Sequence, residues 1–344
     1  MNLEELNLVQ KASCSLIQQD MRYIYTVIKN FKSHEFNYIL AMFPYMGVVI
    51  DGAENWIKSI NTSQKWKFSI PLFNESERLF YEQIRNSIKM WQQDYSEIYI
   101  LLEKAYYESE AYFGSVCKPI AKELNLYDIY GMDTISEVIC GNTILYYYYM
   151  PFFSYTRDSG EYIKSMSEIG GQYVRLFNAM KEFQVNNELR FNVRDYGGFI
   201  KSPVGNAYSD KFVLMSILCQ INFLVYGIEK WIKTEIPAKL RFGYLLYFSL
   251  ISVIEQVNAK IGTTLKIDAS WKVDEFRNSM AHYKLGVVLK ENELIASDVM
   301  YGLTEKIFGE DYCTVKKSIY KELEGLGKQI GEFLELPKRM ISLS

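Results

Sequence analysis

Toward its C-terminal end the chain reads Arg277-Asn278-Ser279-Met280-Ala281-His282. His282 is one of only two histidines in 344 residues, so the one side chain type that carries protons near neutral pH is scarce here. On a helix turning about 100° per residue, Arg277, Asn278, Ala281 and His282 share an arc of roughly 140°, with Leu285 also inside it. Val273, Phe276, Met280 and Tyr283 fall on the opposite side, which predicts a packed apolar face and a polar face open to a ligand. On that polar face a guanidinium can fork onto phosphate oxygens, an amide can orient the group, and an imidazole can move a proton. A small alanine between them leaves room for the ligand to approach. This set suits phosphodiester chemistry and does not call for a metal.

The string resembles the signature of the HEPN family (higher eukaryotes and prokaryotes nucleotide-binding). There an Arg, a following polar residue that is often Asn, and a His five positions after the Arg lie on one helix. Many members are metal-independent ribonucleases in which the 2′-hydroxyl attacks the adjacent phosphate, leaving a cyclic phosphate and a 5′-hydroxyl. The resemblance implies that Arg277 binds and stabilises the phosphate, that His282 is the general acid or base, and that Asn278 orients phosphate or partner residues. It further implies RNA as substrate, no cofactor, a composite site built by two HEPN domains in a homodimer, a role as toxin or antiviral effector, and a partner protein able to neutralise it. One detail departs from the pattern. Some toxin members carry a modifiable Tyr two positions after the His; here Tyr283 is adjacent and Lys284 takes that place.

The elements that must position the string read as helices. Apolar residues recur at three- and four-residue spacing from Leu3 to about Lys32, Phe36 to Ile60 and Glu75 to about Leu124, windows too long for strands. Asn74, ahead of Glu75 and Glu77, is placed to cap the third. Between the second and third, residues 65–73 alternate and contain Pro71, which predicts a short extended linker. Further helices are expected over Met132–Tyr149, Glu161–Gln184, Asp210–Lys233, Pro237–Ile261, Ala269–Tyr283 and Tyr312–Leu336, with Pro237 in a first turn and Gly262 and Gly286 at helix C-termini. The fold class is thus all-α. Residues 186–210, with Gly197-Gly198, Pro203 and Gly205, are the best candidate boundary. This divides the chain into a helical region 1–204, for recognition, regulation or dimerisation, and a HEPN-like four-helix bundle 205–344, the only part the resemblance covers.

Composition narrows the class. Half the residues are apolar and 23% are charged, which describes a folded chain. The net charge of −3 is not that of a general nucleic-acid binder; 18 Lys and Arg stand against 17 Asp and Glu after residue 204, so an RNA site must be a local patch. Lys260, Lys266, Lys272 and Lys284 are nearest in sequence, and Lys272, Tyr283 and Lys284 are the expected RNA contacts. The five cysteines are scattered, without a C-x-x-C pair, which predicts neither a zinc site nor a disulfide framework. The first residues lack a signal-peptide pattern, and the apolar runs at 138–156, 212–228 and 242–254 are short or interrupted, which predicts a cytoplasmic protein with no membrane span.

Other constellations read as structure. Gly325-Leu326-Gly327-Lys328 lacks the ending of a phosphate loop and lies in a helical pattern. The aromatic run Tyr146–Tyr149 and Phe152-Phe153 fits packing between helices, and His34 fits a helix junction. Arg85-Asn86-Ser87 repeats the first three residues of the 277–282 string, with Met90 where His would stand; ordinary helix surface accounts for it, a degenerate second unit being the other reading. A competing function remains beside the ribonuclease: a non-catalytic helical scaffold whose polar face holds a nucleotide, RNA or a protein. Binding that survives His282→Ala without turnover separates the two.

Overall fold

Helices account for most of the chain because apolar stripes at helical spacing run through nearly every segment and only seven prolines interrupt them. The computed structural model describes residues 4–30, 36–63, 68–116, 130–149, 159–196, 203–205 and 207–342. The helices are α1 (Leu8–Asn30), α2 (Phe36–Ser63), α3 (Glu75–Ser87), α4 (Tyr95–Val116), α5 (Thr143–Tyr149), α6 (Ser159–Leu176), α7 (Asp210–Trp231), α8 (Pro237–Ile261), α9 (Asp274–His282), α10 (Leu303–Phe308), α11 (Tyr312–Phe333) and α12 (Lys338–Ile341). Several starts and stops follow local chemistry. The side chain of Asn74 accepts from the Glu77 N–H while Glu77 accepts from the Asn74 N–H, a reciprocal cap on α3. Pro237 opens α8, and Gly262 closes it at φ +71°, where a side chain would be strained.

The chain is mostly helical, and a small antiparallel sheet corrects the all-α expectation. Strands β1 (Tyr130–Ile135), β2 (Val138–Asn142) and β3 (Phe191–Tyr196) lie in the order β2-β1-β3, with Ile135 opposite Val138 and Phe191. The hairpin replaces the first part of the helix expected over 132–149. Its two-residue turn, Ser136-Glu137, holds both residues at positive φ (48° and 76°), the geometry that usually recruits Asn-Gly. Without a glycine or asparagine there, 132–145 carries the apolar spacing of a helix. Three other expectations shift. The helix expected from Glu75 to about Leu124 breaks after Ser87 into a 3-10 turn, Ile88–Gln92, before α4 begins. The α9 helix starts at Asp274, not Ala269: the side chain of Asp268 accepts from the backbone and hydroxyl of Ser270 in a turn of its own instead of capping the helix. It ends at His282, so Gly286 caps nothing and Leu285, expected on the polar arc, is fully buried. His34, Cys117, Gly197, Gly198 and residues 150–153 lie outside the described residues.

The core crosses the expected boundary at 204. Buried side chains from Leu6 to Ile341 form one connected cluster, α1 packs on both α2 and α8, and β2 packs on α7. At its centre Asp20 of α1 and Arg241 of α8 pair at 2.9 Å with neither exposed. Among the described residues two helices, Asp210–Trp231 and Pro237–Ile261, are long and apolar enough to cross a bilayer; 94% and 78% of their apolar stretches are buried inside the protein.

Candidate functional site

The loop between α8 and α9 is fastened from below by the tyrosines of α8. Tyr244 donates its hydroxyl to the Trp271 carbonyl and accepts the Val273 N–H, both at 2.9 Å, and Tyr247 donates to the Asp268 carbonyl. Phe276 then meets the Tyr244 ring edge-on at 4.6 Å, and Phe276 and Met280 are fully buried, as the helical wheel requires. The other face of α9 is thereby turned outward with Arg277, Ala281 and His282 on it.

The end of α9 is fixed as firmly. Tyr283 takes the left-handed conformation at φ +53°, which costs a residue with a Cβ about 1–2 kcal/mol. Its ring lies under the Arg241 guanidinium at 3.6 Å and its hydroxyl donates to Asp20 at 2.8 Å, so the strain is offset inside the core. This corrects the expectation that Tyr283 touches RNA: it is fully buried and acts as the latch that stops the helix at His282. On the facing helix α2, Gly52 permits the approach. A Cβ there would stand 2.6 Å from the Ala281 carbonyl and 2.7 Å from the Tyr283 ring.

Because α2 lies this close, Arg277 and His282 do not face solvent alone. They line a cleft of about 200 Å³ whose other wall comes from the N-terminal half: Asp51, Arg85, Lys89 and Gln92, over a floor that includes Val48 and Leu245. The break after Ser87 is what delivers this wall. Trp91 in the 3-10 turn donates to Gln220 of α7 at 2.6 Å, anchoring the turn so that Gln92 accepts from the Arg277 guanidinium at 3.1 Å. Asn278 accepts from the same guanidinium at 2.9 Å. It does not line the cleft, so its task there is to hold Arg277.

His282 is half-buried, and its Nδ1 is enclosed without a hydrogen-bond partner, as is the Nε of Arg277. Burial lowers the imidazole pKa below its ordinary value; Asp51 opposes this, while Lys284, Arg277 and Lys89 add to it. The ring is therefore neutral at neutral pH and able to accept a proton. Arg277 stands over the Phe248 ring at 5.9 Å, where Lys272 also reaches within 5.2 Å. No carboxylate is within ion-pairing distance of Arg277 among the described residues, which leaves its charge available to an anion. Lys284 influences His282 through its charge but lines a different hollow, beside α1; Lys260 and Lys266 line hollows elsewhere.

Comparison with protein families, curated proteins and solved structures finds no match for this chain. The cleft must therefore be read from its own chemistry. One imidazole, the guanidiniums of Arg85 and Arg277, the Lys89 ammonium and the Asp51 carboxylate converge on a space smaller than the roughly 300–1,000 Å³ of a pocket that engulfs a whole small molecule. Such a cleft fits a short anionic stretch of a longer ligand rather than a whole small molecule. Among the described residues no cluster of three His, Cys, Asp or Glu could hold a metal ion.

Sequence reasoning placed Arg277, Asn278, Lys272 and His282 on this side of the molecule and missed Asp51, Lys89 and Gln92. The repeated Arg-Asn-Ser at 85–87 was the signal for that second wall.

Proposed function

We propose that the cleft is the active site of a metal-independent, HEPN-like endoribonuclease. The observation that carries this reading is the convergence of Arg277, which has no carboxylate partner among the described residues, with a neutral, half-buried His282 in a space sized for a phosphodiester. In the proposed reaction the imidazole takes the proton of the ribose 2′-hydroxyl as that oxygen bonds to the adjacent phosphorus. The phosphorus–5′-oxygen bond breaks, and the departing oxygen receives the proton back from the imidazolium. The products are a 2′,3′-cyclic phosphate and a 5′-hydroxyl, with no water consumed and no redox change. Arg277 stabilises the added charge on the phosphoryl oxygens in transit, held in position by Asn278 and Gln92. A toxin or antiviral role, a neutralising partner and a cytoplasmic site of action belong to the same reading through the family resemblance.

The test is incubation of the protein and of His282→Ala with mixed labelled RNAs in EDTA, with analysis of product ends. Cleavage by the unaltered protein alone, ending in cyclic phosphate, is the expected result. RNA that binds both proteins equally and is cut by neither replaces the enzyme with a binding scaffold.

A further inference from the structure

The Arg-Asn-Ser repeat is embedded in a larger one. Asn61, near the end of α2, accepts the Phe68 N–H at 2.6 Å and donates to the Phe68 carbonyl at 2.8 Å. Asn258, near the end of α8, does the same with Leu265, at 2.9 and 2.8 Å. In both cases the partner is seven residues on, so an asparagine clamps the loop that leads to an Arg-Asn-Ser helix. Counting back from each clamp, the same positions carry the same duties. Thirteen residues earlier stand Val48 and Leu245, both in the floor of the cleft. Ten residues earlier stand Asp51 and Phe248, each facing the arginine of its own string: Arg85 at 3.4 Å from the Asp51 carboxylate, Arg277 over the Phe248 ring. The serines of both strings, Ser87 and Ser279, are buried.

Helix order agrees. A long helix, a five-residue connection, a second long helix, the clamped loop, the string and a later helix that packs back occur as α1, α2, α3, α6 and again as α7, α8, α9, α11, with α4, the β1–β2 hairpin and α5 inserted before the last helix of the first set and α10 before that of the second. The packing between the two sets is reciprocal: α9 rests on α2, and the turn that continues α3 rests on α8. The two strings therefore face each other across the cleft as two copies of one surface would in a two-fold dimer. They are not equivalent in chemistry. Where the second string has Ala281 and His282, the first has Lys89, exposed at the cleft, and Met90, fully buried.

We infer that residues 8–176 and 210–333 are two copies of one helical unit, and that the first has lost proton transfer and become the substrate-holding half: Lys89, aided by Arg85, grips the phosphate neighbouring the one that Arg277 and His282 address. This rests on the ribonuclease reading for the identity of the ligand, an RNA strand. It makes the composite site complete within one chain, so a second chain is not needed to build it. Lys89 is a positioning residue with no part in moving the proton.

The experiment uses the full chain with a short 2′-O-methyl oligoribonucleotide, which cannot be cut because its 2′-oxygen has no proton to give. Binding is read from the imidazole resonances of His282, one of only two histidines. Lys89→Gln is expected to weaken binding about tenfold, the worth of one charged phosphate contact, and Arg85→Gln to weaken it less. Replacing the neighbouring phosphate by a neutral methylphosphonate should weaken binding to the unaltered protein and erase its advantage over Lys89→Gln. A thermal melt of Lys89→Gln equal to that of the unaltered protein shows that the fold is kept.

Binding unaffected by either substitution overturns the inference, as does an oligonucleotide that leaves His282 unmoved. The ribonuclease reading fails separately. Lys89-dependent binding with no cleavage of natural RNA sustains the two-copy site and removes the enzyme; cleavage that ignores Lys89 and Arg85 does the reverse. Mixing inactive His282→Ala with impaired Lys89→Gln is expected to restore nothing, whereas recovery of activity would place the two halves on different chains and overturn the single-chain site.

Discussion

Two arginines, Arg85 and Arg277, approach one cleft from opposite walls, each followed by Asn and a buried Ser, yet their charges are spent differently. Arg85 leans on the Asp51 carboxylate; Arg277 leans on a phenyl ring. A carboxylate lowers the net charge that an incoming anion meets, while a ring supports the guanidinium face, and the neutral Asn278 and Gln92 that accept from it leave its charge uncompensated. What an arginine contributes to a site is thus decided by the residue at one position of the neighbouring long helix, which the arginine's own motif does not reveal.

The strongest way to break the comparison is to remove the imidazole that only one wall possesses, or the arginine that rests on the ring. His282→Ala or Arg277→Ala is expected to lower cleavage by about 10²–10⁴-fold with an unchanged melting temperature. Arg85→Ala should lower it far less; equal losses in a single-turnover assay would make the walls equivalent. The latch comes next. Asp20→Ala leaves Arg241 as a buried charge without its carboxylate and is expected to cost about 3–5 kcal/mol in urea unfolding. A change below about 1 kcal/mol would show that Tyr283 and the end of α9 are held by packing alone.

Exchanging the supporting residue sharpens the comparison directly. Phe248→Asp should give Arg277 the surroundings of Arg85 and weaken oligonucleotide binding about tenfold, the effect of one compensated phosphate contact. Affinity that does not change removes the argument from the ring. The smallest expected effect is on the titration of His282. Its pKa lies below the ordinary value, so as a base it is active above that pKa and activity falls as the pH drops through it. Lys89→Gln should move the acid limb of the pH profile up and Asp51→Asn should move it down, because the first removes a like charge and the second an opposite one. Shifts in the reverse directions, followed by the imidazole resonance, would mean that the two residues do not face His282.

How far the sequence reached follows from the range of each interaction. The α8 helix was legible from Pro237 to Ile261 because a proline, an apolar stripe and Gly262 mark it locally, and Asn74 announced its cap three residues ahead of Glu77. The face of α9 that carries Arg277 and His282 was legible for the same reason. The Ser136-Glu137 turn was not, since neither residue advertises positive φ, and the length of α9 was not, since Tyr283 stops it through partners on α1 and α8. Asp51 and Lys89 join the site across more than 180 residues of chain; only the Arg-Asn-Ser repeat hinted at that neighbourhood.

The hydrogen bond between Tyr283 and Asp20 joins positions 263 residues apart. During synthesis, α1 leaves the ribosome long before its partner exists, and Asp20 has no buried setting to enter until both Arg241 and Tyr283 have been made. Closure of this contact is therefore a late step of high contact order, slow compared with the forming of the helices themselves. Until then neither His282 nor the seat that Tyr283 builds for it exists, so the N-terminal wall of the cleft waits through the addition of the intervening residues for the wall it faces.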